Sequence, residues 1–393
     1  MIKHLFKLIW NKKKQNFLLM SEMLVSFLVI FAVFTLLVYY YNNYKKPMGF
    51  AYKDVWVVNY DNELDTKNTD SLNTYYETLR QSLKSMPEIK ELSFSSDNTP
   101  FSQNTNSGSV FIKNKEVGGV NMYTAEDTYK DVLHMQLLSG RWFNKADAVA
   151  KYKPIIINNE LKETLFGQGE AVGKLVADYD KKKMRIIGVV QGIKVKGDYA
   201  PAGYALYSRT DTGSFRWLGK ILINVAPNAN AAFEGHLYKT LANFMPSSNI
   251  EIEHLTQKRK ETNYFAVVPM IVLSIVAFFL VVNVALGLFG VLWYNINKRR
   301  GEIGLRRAIG ASGQSVSTQL VSESLILATL SLIVGAFFAV QFPLLNVFDL
   351  SAGIYLTAIV LAVIFIYLLV LVCSLYPGKQ ASAILPAVAL HEE

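Results

Sequence analysis

Few residues in this chain have a type and spacing that could do chemistry, and those few do not form a catalytic set. The five histidines, His4, His134, His236, His254 and His391, are scattered, with no His-Glu-x-x-His and no close pair at metal spacing. No Gly-x-Ser-x-Gly elbow is present. The single cysteine, Cys373, falls inside an apolar run and can form neither an internal disulfide nor a CxxC site. The segment 167–175 (GQGEAVGKL) has the outline of a phosphate-binding loop. Gln168 stands where that loop needs glycine and Leu175 where it needs the hydroxyl that holds magnesium, so it is expected to be a plain turn. No metal, no cofactor and no enzymatic activity are expected. The most specific pattern lies at 297–312 (NKRRGEIGLRRAIGAS). Glu302 and Arg306 can pair at i,i+4, Leu305, Ala308 and Ile309 make a small apolar face, Gly310 can end a helix and Ser312 can cap the next. A short amphipathic helix with basic flanks suits docking into a groove on another protein. Topology alone would explain its arginines but not Glu302, Ile303, Leu305 and Ile309.

Four apolar runs position that loop: 17–41, 264–294, 320–342 and 354–376. Each is long enough for a helix across a hydrocarbon core of about 30 Å, which takes about 20 residues. The first is too long for a cleavable signal and lacks a small-residue cleavage site, so it is expected to remain as an anchor. Lys3, Lys7, Lys12, Lys13 and Lys14 precede it, and Lys298, Arg299, Arg300, Arg306 and Arg307 lie between the second and third runs. The loop around 346–351 carries Asp349 and no Lys or Arg. The positive-inside rule then puts both termini and the 295–319 loop in the cytoplasm and the segment 42–263 outside. The formal charge of +9 reads as this topology signal, with contact to membrane lipid, and not as nucleic-acid binding. Ile2, Leu5, Phe6, Leu8 and Ile9 alternate with Lys3, His4 and Lys7, as in a helix lying in the headgroup layer. Glu22 and Glu323 fall near the ends of their runs, where an interfacial position explains them, and Asn283 is expected to pack against another helix. No line of buried carboxylates crosses the membrane.

Most of the remaining charge is in the outer segment. Strand patterns at 54–61 and 89–95 flank a helical one at 72–86 (Leu72, Tyr75, Tyr76, Leu79, Leu83). The order repeats at 220–225, 230–244 and 250–255. Two β-α-β units thus bracket the domain, with about 98–212 inserted between them. In that insertion 110–112, 155–157 and 185–190 are expected to be strands, and 124–132 and 159–166 short helices. The fold class expected is a membrane α-helical bundle of four transmembrane helices with an inserted α+β extracytoplasmic domain built on two β-α-β units.

RRGEIGLRRAIGAS (299–312) resembles the coupling-helix motif of permeases of the MacB/FtsX-like ABC transporter family. QLVSESL (319–325) is similar to the start of that family's third span. YPGKQASAILPAVAL (376–390) is similar to its C-terminal pattern, with Gly378 in place of the usual alanine. LLSGRWFN (137–144), INNELKETLFG (157–167), AVGK (171–174) and RIIGVVQ (185–191) resemble its periplasmic core. The resemblance implies a cytoplasmic segment 1–16, a span at 17–41, a MacB-like periplasmic core domain over 42–263, an FtsX-like permease domain over 264–376 with a coupling helix at 301–310, and a cytoplasmic tail at 377–393. It implies that Glu302, Ile303, Gly304, Leu305, Arg306, Arg307, Ile309 and Gly310 meet an ABC ATPase. With residues 1–16 alone before the first span, that ATPase is expected to be a separate cytoplasmic subunit. The other partners implied are a second permease (a homodimer or a sister chain) and a periplasmic adaptor, in the bacterial inner membrane. The function implied is mechanotransmission, in which ATP hydrolysis moves the outer domain for efflux or for lipoprotein or peptide handling. The alternative is a membrane-anchored sensor or scaffold with a ligand-binding outer domain.

Overall fold

The computed structural model describes residues 13–61, 68–113, 115–210 and 214–384. The expected headgroup helix at 2–10 and the tail beyond 384 lie outside the described residues. Two compact units emerge, residues 43–266 in one and the described parts of 1–42 and 267–393 in the other.

The chain enters by α1 (Lys13–Tyr44) and then forms β1 (Val55–Asn59), α2 (Thr69–Lys84) and β2 (Ile89–Ser95). Asn68 caps α2, its Oδ1 accepting from the amides of Asp70 and Ser71 at 3.0 and 3.3 Å. Asp70 in the first turn and Lys84 in the last suit the helix dipole. The middle of the unit holds β3 (Ser107–Ile112), β4 (Lys115–Ala125), α3 (Tyr129–Val132), β5 (Leu137–Gly140), β6 (Lys153–Asn158), α4 (Asn159–Phe166), β7 (Leu175–Ala177), β8 (Lys183–Val190) and β9 (Ala205–Arg209). It closes with β10 (Lys220–Val225), α5 (Ala231–Phe244) and β11 (Glu251–His254).

β11, β1, β10 and β2 lie side by side, every neighbour antiparallel. Alternation along the strands sends Trp56, Val58, Ile221 and Ile223 to one face, where Leu72, Tyr76, Leu79 and Leu83 of α2 and Phe233, Leu237 and Leu241 of α5 cover them. Val55, Val57 and Leu222 on the other face pack with Tyr123, Tyr129, Trp142 and Tyr207. Six of the remaining strands pair in a closed circuit, β4–β3–β7–β8–β6–β9 and back to β4, and β5 adds to it by pairing with β8. Closure leaves few exposed edges. Asn158 is fully buried where β6 turns into α4. Its Oδ1 accepts from Leu161 N and Ala205 N at 3.2 and 2.9 Å, and its Nδ2 donates to Gly203 O at 2.7 Å.

Two sequence expectations fail in this unit. The segment 124–132 is not one helix: Thr124 and Ala125 finish β4, opposite Ser208 and Arg209 of β9, and only Tyr129–Val132 is helical. Parallel pairing with a strand some eighty residues away overrides the local preference. The strand expected at 250–255 stops at His254, and Leu255 already begins a helix that runs on into the second apolar run.

The other unit contains α1, the greater part of α6 (Leu255–Lys298), α7 (Arg300–Ala308), α8 (Gly313–Leu344) and α9 (Ala352–Ser382). α1, α6, α8 and α9 are long and apolar enough to cross a membrane. The buried face of α9 repeats every four residues through Ile354, Ala358, Ala362, Ile366, Val370, Ser374 and Gly378. α8 faces inward with Ser324, Ala328, Ser331, Gly335 and Ala339. Small residues on both helices permit close backbone approach where lipid gives no hydrophobic drive to association. A Cβ on Gly335 would lie 2.5 Å from the Phe27 ring of α1, and one on Gly378 would lie 2.7 Å from Ser317 Oγ. Thr329 and Tyr367 share a hydrogen bond of 2.9 Å between α8 and α9. The Asn283 amide donates to Phe279 O of its own helix at 2.8 Å.

Candidate functional site: the helix between the second and third spans

Three local signals shape the 297–312 segment. Arg299 interrupts α6 with φ −104° and ψ 12°, and α7 follows for nine residues. Gly310 takes φ +101°, a left-handed conformation that suits glycine past a helix end. Ser312 then caps α8, its Oγ accepting from Ser315 N at 3.2 Å.

The apolar residues of α7 divide by direction. Ile303 is 6% exposed and packs with Ile296, Val316, Leu320 and Ala381, and Gly304 is buried beside it. Leu305 and Ile309 point the other way, 55% and 79% exposed.

A chain of polar contacts fixes that orientation. Arg299 Nη1 lies 3.3 Å from Glu323 Oε1, Gln319 Nε2 donates to the same carboxylate at 3.1 Å, and Arg306 Nη1 donates to Gln319 Oε1 at 3.1 Å. Arg306 Nη2 closes on Glu302 at 2.5 Å. Arg307 Nη1 donates to the carbonyls of Ser382 and Ile384 at 2.6 and 2.8 Å, holding α7 to the end of α9. Of the eight residues expected to meet an ATPase, Glu302, Leu305 and Ile309 therefore face outward together. Ile303 and Gly304 face inward, Arg306 and Arg307 are engaged in the frame, and Gly310 shapes the turn. Arg299, at the start of the 299–312 motif, Gln319, Glu323 and the end of α9 complete the frame, the last three lying outside the 297–312 pattern. The i,i+4 spacing of Gln319 and Glu323 was the available signal.

A second frame stands within residues 43–266. Lys194, 2% exposed, donates to Asn43 O at 2.8 Å and Lys46 O at 3.2 Å. Burial lowers the pKa of its ammonium. Asp198, 6% exposed, receives Arg259 Nε and Nη2 at 2.9 and 2.6 Å and Asn263 Nδ2 at 2.9 Å. Arg259 also donates to Tyr52 Oη at 2.8 Å. These contacts join the last turn of α1 and the residues after it, the segment 194–198 and the first turns of α6, so both chain connections of this unit meet at one buried charge set.

The glycine-rich 167–175 segment is a turn: Gly167 and Gly173 have φ +60° and +87°, and Gly173 N donates to Ile186 O at 2.7 Å. Lys174 lies over the Phe166 ring at 4.6 Å.

Residues 18–235 match the family described as MacB-like periplasmic core domain, and residues 274–386 match that described as FtsX-like permease C-terminal. The chain belongs to the MacB/FtsX-like ABC transporter permease family, whose members are proteins of the bacterial cytoplasmic membrane. It is 25% identical over 230 residues to macrolide export ATP-binding/permease protein MacB 1/2 of Paracoccus denitrificans, covering 56% of this chain and 33% of that one. To MacB of Chlorobaculum tepidum it is 27% identical over 273 residues, covering 65% and 41%. To the uncharacterized ABC transporter permease YvrN of Bacillus subtilis it is 22% identical over 292 residues, covering 69% and 70%. The chain thus spans about a third to two fifths of these two MacB proteins. The periplasmic region of MacB from Actinobacillus actinomycetemcomitans superposes with a TM-score of 0.39 at 18% identity, covering 53% of this chain and 92% of that one.

Proposed function

We propose that this chain is a permease subunit that receives the motion of a separate cytoplasmic ABC ATPase at α7 and passes it to the unit 43–266 outside the membrane. The observation that carries the reading is the division of α7: Ile303 and the arginines anchor it, while Leu305 and Ile309 stand exposed one helical turn apart. Two apolar side chains so presented fit a groove on another protein. The Lys/Arg distribution supports a cytoplasmic placement for α7 and both termini, with 42–263 outside. The outer unit follows as two interleaved strand-helix-strand segments, each next to a span, supported by the order β11, β1, β10, β2. Both connections then enter the membrane from one buried frame, so movement of α1 or α6 reaches the outer unit without a polar pathway through the bundle. A second permease, identical or sister, completes the transporter, and a periplasmic adaptor is compatible with it. The work done is export or handling of an amphiphile, peptide or lipoprotein, in keeping with the macrolide export named for the MacB relatives.

The test combines topology with coupling. In a Cys373→Ala background, Asn106→Cys should react with an impermeant thiol reagent in intact spheroplasts and Ser312→Cys should not. Leu305→Ala with Ile309→Ala should weaken ATPase retention at least about tenfold, since each side chain contributes about 1.5–3 kcal/mol when fully buried and about 1.4 kcal/mol is tenfold. Labelling of Ser312→Cys in sealed cells would reverse the orientation, and full ATPase retention by the double variant would remove α7 as the coupling element.

A further inference from the structure

A cleft of about 710 Å³ opens in the unit 43–266, a size that suits a small ligand. One wall is α2 with Arg80 and Glu77, the other is the segment from Lys145 to Lys153, and the ends of β4 and β9 form the floor with Asp127 and Arg209. It therefore lies between the helix-covered layer and the closed strand circuit, where a bound molecule would touch both.

The charges lining it are unequally engaged. Arg80 Nη2 meets Glu126 at 2.5 Å and its Nε meets Glu77 at 3.2 Å. Arg209 Nε and Nη2 each meet Asp127 at 2.8 Å, and Arg141 meets Asp147 at 2.7 and 2.6 Å. Each of these four carboxylates thus already has a guanidinium. On the cationic side, Nη1 of Arg80, Nη1 of Arg209 and the ammonium groups of Lys145 and Lys153 have no hydrogen-bond or ion-pair partner among the described residues. The pairs hold the two guanidiniums in place while leaving donors over, and the two lysines face them from the opposite wall. Preorganised donors with no acceptor favour an anionic group, because charge-assisted hydrogen bonds are the strong ones.

We propose that this cleft binds a ligand through a carboxylate or phosphate group, received by Lys145 and Lys153 on one side and by Arg80 and Arg209 on the other. The site is independent of coupling at α7 and gives the outer unit a ligand of its own. The test is calorimetric titration of the full chain in detergent at fixed ionic strength. Three probes are used: a tripeptide of alanine and glutamate, its neutral glutamine amide, and inorganic phosphate. The expected result is saturable binding of an anionic probe and none of the neutral one, the preference between tripeptide and phosphate identifying the source of the group. Lys145→Ala with Lys153→Ala should weaken that binding at least about tenfold, a loss of about 1.4 kcal/mol. Both lysines are exposed, so the melting curve should not move, and Lys239→Ala on the exposed face of α5 should bind as the parent does. Absence of saturable binding by either anion up to about 10 mM, or binding that survives the double substitution, would overturn the proposal.

Discussion

Around α7, three arginines reach Glu323, Gln319 and the end of α9 while two apolar side chains remain exposed. Around Asp198, Arg259, Asn263 and Tyr52 converge and the charges themselves go inside, Asp198 and Lys194 being almost wholly buried. Arginine and carboxylate do different jobs in the two places. Near the surface the pair of Arg306 with Glu302 contributes little stability of its own but helps set the direction in which Leu305 and Ile309 point. In the buried frame the same chemistry bears on stability, because a partner removed there leaves a charge without water or counterion. Substitutions should therefore separate the regions: stability should respond at the buried frame and partner binding at α7.

The largest effect is expected at Asp198. Asp198→Ala leaves Arg259 and Lys194 facing each other and should cost about 3–5 kcal/mol, somewhat less as Arg259 relaxes toward water. Denaturant unfolding of the full chain in detergent checks it, and an unchanged midpoint would show that the frame bears no load.

Next comes Ile303 against Leu305. Ile303→Ala empties a packed site and should cost about 2–4 kcal/mol, whereas Leu305→Ala should stay within about 0.5 kcal/mol. Equal losses for the two would erase the inward and outward division of α7. Gly335→Leu should follow, since its side chain has no room beside Phe27, with overpacking of about 1–3 kcal/mol read as a lower melting temperature.

The smallest effect concerns pH. Burial lowers the Lys194 pKa from 10.5, so the unfolded chain holds that proton more tightly than the folded one. Stability should then rise with pH in the window below 10.5, and Lys194→Met should flatten that rise. A slope that survives the substitution would assign it to another group.

How much was legible in the sequence follows from the range of the forces involved. The four spans, the cap at Ser312 and the pairing of Glu302 with Arg306 are local and could be read from spacing. β4, β5, β7 and β9 were not read, because β4 carries Gly118 and Gly119 and the other three are only three to five residues long. Their stability comes from partners far along the chain. At α7 the helix and its apolar residues were legible, but the opposite facing of Ile303 and Leu305 depends on the cluster around Val316, Leu320 and Ala381. The buried frame was not legible because Arg259 lies 61 residues beyond Asp198, and Lys194, Asp198 and Arg259 each alone resemble an ordinary surface charge.

The most direct measurement places a photoreactive benzoylphenylalanine at Ile309 in one chain and at Ile303 in another, each co-expressed with the candidate ATPase in native membranes. The proposed coupling predicts a covalent adduct with the ATPase from position 309, lost when the partner is absent, and an adduct only within this chain from position 303. An ATPase adduct of equal yield from position 303, or none from 309 while the ATPase still co-purifies, would contradict it.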